Sequence, residues 1–107
     1  MSKKSPPSGD VDIPGTEAWL EDVREIYGPM LKCDGYDDCI MGVTTQFNTT
    51  TILYDQDKMI HKLAREFMRA NRKLSKSRAY DDANEHFQFN IIGAWMGKET
   101  PSFFSKK

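Results

Sequence analysis

Residues 39–70 read CIMGVTTQFN TTTILYDQDK MIHKLAREFM RA, and this stretch decides the fold. Its first half is rich in Ile, Val, Thr and aromatic residues, which suit a pleated, half-buried surface. Residues 39–47 predict a strand. Asn48-Thr49-Thr50 predicts a tight connection, and residues 51–54 a second strand paired with the first as a hairpin. The glycine that usually serves such a turn is missing here. Then the period changes. Met59, Ile60, Leu63, Ala64 and Phe67 recur at i, i+1, i+4, i+5 and i+8, the buried face of a helix. Asp55 stands just before that helix as its N-cap, its carboxylate placed to accept from an orphan amide of the first turn.

Upstream of this stretch, residues 16–27 predict an N-terminal helix. Thr16 is its cap, Glu17 suits its first turn, and Trp19, Leu20, Val23, Ile26 and Tyr27 form one stripe. Gly28-Pro29 ends it. Residues 1–13, rich in Ser, Pro, Gly and Lys, predict a disordered arm. After residue 70 the polar, basic run 75–78 predicts a break. Residues 80–96 then predict a third helix with Tyr80, Ala83, Phe87, Ile91, Ala94 and Trp95 inward. Asp81 and Asp82 fall in its first turn, Gly93 is a close-packing point within it, and Gly97 closes it. Residues 100–104 predict a short strand with Pro101 at its start. The expected fold is a small single α+β domain. A β-hairpin plus short C-terminal strand packs on two helices over residues 36–104, with an appended N-terminal helix in 14–31, and the domain spans 14–107.

Three pieces of the chain carry a resemblance. They are Gly35-Tyr36-Asp37-Asp38-Cys39-Ile40-Met41-Gly42-Val43; Ile52-Leu53-Tyr54-Asp55 followed by Lys58 and Ile60; and Ala83, Glu85, Phe87, Phe89-Asn90, Gly93-Ala94-Trp95, Gly97 and Thr100-Pro101. In this order they resemble a family of small uncharacterised proteins encoded mostly by tailed bacteriophages, over about residues 36–104. The resemblance implies a phage origin and no particular activity. The chain departs from that family in the connector 70–79, which is longer and more basic. Ala79 stands where the family has a capping hydroxyl, and Ser77 is the substitute cap. The N-terminal extension through Leu31 lies outside the resemblance.

The chain has 107 residues and a net charge of −1, which by itself speaks against a charged partner. The total hides a segregation. Residues 10–39 carry nine acids against Arg24 and Lys32, a net of −7. Residues 57–78 carry eight bases against Asp57 and Glu66, a net of +6. Within the basic segment Lys58, Lys62, Arg65, Arg69, Arg72 and Lys76 recur at steps of four and three. On a continuous helix they form one stripe about 27 Å long. Three readings of that stripe stand: a solvated face paired with the acidic first helix, a surface for an acidic protein, and a phosphate-binding surface. No aromatic interleaves it, so stacking on bases is not supported.

Other motifs carry little chemistry. The two cysteines, Cys33 and Cys39, and two histidines, His61 and His86, match no zinc spacing. No metal or cofactor is expected. Asp37-Asp38 and Asp81-Asp82 read as turn and capping residues rather than as a catalytic pair. No nucleophile elbow, P-loop or dinucleotide fingerprint occurs. Tyr54, Asp55 and Asn90 are polar positions inside the matched pieces, read either as caps and buried hydrogen-bond partners or as parts of a site. Phe89 and Asn90 fall out of phase with the inner face of the third helix. The expected function is a non-enzymatic phage accessory protein that binds an acidic protein surface, as an inhibitor of a host enzyme or defence system. A nucleic-acid-binding protein, a virion component and an enzyme with an unrecognised site are the alternatives. No apolar run reaches the length of a membrane span, no secretory signal is seen, and sparse cysteines fit a reducing compartment. The cytoplasm of an infected cell is the expected location, with the virion as alternative.

Overall fold

In the computed structural model, which describes residues 12–92, 97 and 100–106, the hairpin forms. Strand β1 (Ile40–Gln46) runs antiparallel to β2 (Thr49–Asp55), with Val43 opposite Ile52, Thr44 opposite Thr51 and Gln46 opposite Thr49. The connection is shorter than expected. Thr49 and Thr50 belong to β2, and the turn is Phe47-Asn48 alone, with φ of +52° and +65°. Two successive left-handed residues match the right-handed twist of the strands. Asn48 therefore replaces the missing glycine, and Phe47 carries the steric cost. Cys39 lies not in β1 but in a 3-10 turn, Asp37–Cys39, where it is still buried.

A third strand, β3 (Ser102–Phe104), pairs parallel to β2, so that β2 is central among the described residues. Between β2 and β3 the chain makes two helices, α2 (Gln56–Ala70) and α3 (Lys76–His86). Such a crossover is what a parallel neighbour requires. Asp55 caps α2 by accepting from the Lys58 amide at 3.1 Å. Asp57, in the first turn of α2, accepts from Ser105 Oγ at 3.2 Å and from the Lys106 amide at 3.1 Å, which ties the chain beyond β3 to the start of α2.

The connector differs from expectation. It breaks at residues 71–75, and Ser75 rather than Ser77 is the cap, accepting from the Arg78 amide at 3.2 Å. α3 therefore starts four residues before Tyr80. Asp81 and Asp82 fall in its second turn, where Arg78 holds Asp82 at 3.3 Å. After His86 the winding widens into a π-helical stretch, Phe87–Ile92. Gly93, Ala94 and Trp95 lie outside the described residues, as do residues 1–11 of the expected arm.

One buried cluster holds these elements together. α2 supplies Met59, Ile60, Leu63 and Ala64; α3 supplies Ala79 and Ala83, followed by Phe87; the sheet supplies Ile40, Ile52 and Tyr54. Burying each large aliphatic side chain stabilises the fold by about 1.5–3 kcal/mol. Phe103 of β3 bridges sheet and helices, stacking on Tyr54 at 5.9 Å and meeting Phe87 edge-on at 5.2 Å. The N-terminal helix α1 (Glu17–Tyr27), capped by Thr16, adds Trp19, Leu20 and Val23 to the same cluster. Its stripe is shorter than the periodicity implied, because Ile26 and Tyr27 are exposed. Gly15, just before α1, has φ +95° and lies against the 3-10 turn so closely that a Cβ would meet the Asp37 carbonyl oxygen at 2.0 Å.

Candidate functional site

Lys58, Lys62, Arg65 and Arg69 share one face of α2 over about 16 Å. The expected six-residue stripe stops there. α2 ends at Ala70 because Asn71 turns the backbone extended and its side chain accepts from the Lys73 amide at 3.1 Å. Asparagine competes with the helix in this way by offering the backbone a local partner. Arg72 therefore sits in a turn and Lys76 begins α3, away from the four-residue face.

One of the four bases is already engaged. Lys62 Nζ donates to Asp38 Oδ1 at 3.0 Å and to the Gly35 carbonyl at 2.7 Å, and it lies 5.5 Å over the Tyr36 ring. Asp37, next to it in the turn, pairs with Lys32 at 3.0 Å. The acid that meets the basic segment is thus Asp38 of the 3-10 turn, at the end of the acidic stretch. The Lys62 hydrogen bond holds the Asp38 carboxyl below its ordinary value, and the same bond raises the Lys62 ammonium. Burial, then the neighbouring Asp38 charge, pushes the Cys39 thiol up to about 11. Burial likewise raises Cys33. Both thiols are free and held in their neutral form.

Lys58, Arg65 and Arg69 are exposed. Among the described residues none of the three has an ion-pair partner. With Asp38, Lys62 and Glu66 they line a shallow cleft of about 260 Å³. Its charge is mixed: four bases interleave with two carboxylates.

The other polar candidates do not converge with that face. Tyr54 is fully buried, and its hydroxyl accepts from the Cys33 amide at 2.6 Å, fixing the segment between α1 and the turn. Asp55 is the α2 cap. Asn90 is exposed and bonds His86 at 3.2 Å. His61 bonds the Tyr80 hydroxyl and so joins α2 to α3. No group of three metal-ligating side chains is placed together among the described residues. Two exposed aromatic residues escaped the sequence reading or were left open by it. Phe47, at the hairpin tip, is 89% exposed, and Phe89 is 75% exposed. The sequence reading placed the first at the end of a strand, where nothing marked it as exposed.

Fold and site together define a small mixed α+β domain with an exposed basic helix face. No family model, curated protein or solved structure matches the chain. No helix of the described residues is long and apolar enough to cross a membrane.

Proposed function

We propose that this is a phage-encoded accessory protein that works without catalysis, by binding an acidic surface of another protein through α2. The observation that carries this reading is the set of three exposed bases, Lys58, Arg65 and Arg69, aligned on one helix face with no ion-pair partner among the described residues. Asp38 and Glu66 in the same cleft favour a protein over a nucleic acid. A run of phosphates would meet these carboxylates as like charges, whereas a protein surface offers both signs to pair with. The phage origin rests on the resemblance of residues 36–104. Inhibition of a host enzyme or defence system is the role such a protein would serve.

The test is affinity purification of the tagged protein from infected cells, with nuclease added, comparing the wild type with Arg65→Glu/Arg69→Glu. The expected result is a stoichiometric protein that survives nuclease and is lost with the double variant. Retention that disappears with nuclease would point to nucleic acid instead. Equal retention by the double variant would remove α2 from the interaction.

A further inference from the structure

The connector and the π-helical stretch enclose, with the end of α2, an open groove of about 590 Å³. Phe67, Leu74 and Phe89 give it apolar walls, and Asp82, Glu85 and His86 give it a polar side. Its charge is the reverse of the α2 face. Two carboxylates line it and no lysine or arginine does, although Arg69, Arg72 and Lys73 are close by in sequence. Asp82 is held by Arg78 at 3.3 Å, but Glu85 has no ion-pair partner among the described residues. The aromatic surface is arranged as well. Phe67 and His86 meet edge to face at 6.0 Å and 88°, while Phe89 turns out to solvent two residues after the buried Phe87.

Carboxylates beside aromatic faces suit one kind of group: a cation at the end of an apolar stem. A guanidinium or ammonium would pair with Glu85 and lie on the rings, while its methylenes cover Phe67 and Leu74. An acidic or phosphorylated group would face two carboxylates with no lysine or arginine in the lining to meet it. We infer that this groove binds an arginine or lysine side chain presented by a basic, apolar peptide segment of a partner protein. The groove shares no lining residue with the Lys58–Arg69 cleft and asks for the opposite charge, so it stands or falls separately from the α2 reading.

The experiment is a titration of the ¹⁵N-labelled full chain with acetyl-Trp-Arg-Leu-amide, with acetyl-Trp-Glu-Leu-amide as its control. The expected result is saturable shifts at the amides of Leu74, Glu85 and Phe89 with the arginine peptide alone. Binding should weaken at least five-fold in both Glu85→Gln and Phe89→Ala. Both residues are exposed, and an unchanged spectrum of the free variants checks that they fold. The inference is overturned if the groove amides do not shift, if the glutamate peptide binds equally well, or if the two variants bind as the wild type does. It is also overturned if sedimentation shows a dimer that occludes these amides, since the occupant would then be a second copy.

Discussion

At the scale of a residue, Tyr54 shows how one hydroxyl can organise a segment without secondary structure. The ring is part of the core, and its oxygen satisfies the Cys33 amide 21 residues earlier in the chain. Burial, the largest effect, raises the phenol, so it stays neutral and keeps its proton. Replacing Tyr54 by Phe keeps the stacking on Phe103 and removes only the acceptor. A part-buried amide left without its partner costs about 1–3 kcal/mol. Urea unfolding of Tyr54→Phe should show a loss in that range, with hydrogen exchange at Cys33 speeding up more than exchange in β2. A loss below about 0.5 kcal/mol, within the usual range for a surface change, would mean that water replaces the hydroxyl. The sequence named Tyr54 as a buried hydrogen-bond partner or part of a site. It could not choose, because the partner is a backbone amide far away in the chain and leaves no side-chain signature.

At the scale of an element, legibility followed period and capping chemistry. α1, the hairpin and α2 were readable because their apolar spacing and their caps, Thr16 and Asp55, agree. The connector was not readable, because two serines compete there and both lie in a polar run; Ser75 wins, and α3 gains a turn. The same shift explains why the basic stripe was overcounted: four of its six members were legible, and Arg72 and Lys76 depended on a helix that Asn71 ends. The hairpin turn was misplaced for a different reason. A left-handed Phe is rare enough that Asn48-Thr49-Thr50 looked like the better connection. That rarity makes a prediction. Phe47 is 89% exposed, so its side chain gives little back for its φ of +52°. Phe47→Asn should raise stability by about 0.5–1 kcal/mol, read from the thermal midpoint, with the sheet unchanged. A decrease would show that the ring makes contacts worth more than the strain.

At the scale of the whole molecule, the near-zero net charge is the sum of opposed segments, and among the described residues one ion pair joins the acidic stretch to α2. The contact runs through the 3-10 turn: Asp38 to Lys62, with Asp37 held beside it by Lys32. The rest of the α2 face is left outward, and that surplus is what the proposed function uses. The internal contact has a pH signature of definite sign. Lys62 holds the Asp38 carboxyl below its ordinary value near 3.8. In the unfolded chain the same carboxyl binds its proton more readily. The contact therefore stabilises the fold above that ordinary value and loses its contribution as pH falls through the lower, folded value. Lys62, raised by the same bond, keeps its charge throughout the acid range. Asp38→Asn should accordingly be less stable than the wild type at pH 7. The gap between the two thermal midpoints should close as pH falls below about 4, because the wild-type carboxyl is then becoming neutral as well. Both groups are partly exposed, so added salt should narrow the gap at pH 7. A gap that stays constant from pH 7 to pH 2 would mean that Asp38 acts through turn geometry and not through its charge. Asp38 would then have no electrostatic hold on α2, and Lys62 would be held to the turn by the Gly35 carbonyl and the Tyr36 ring alone.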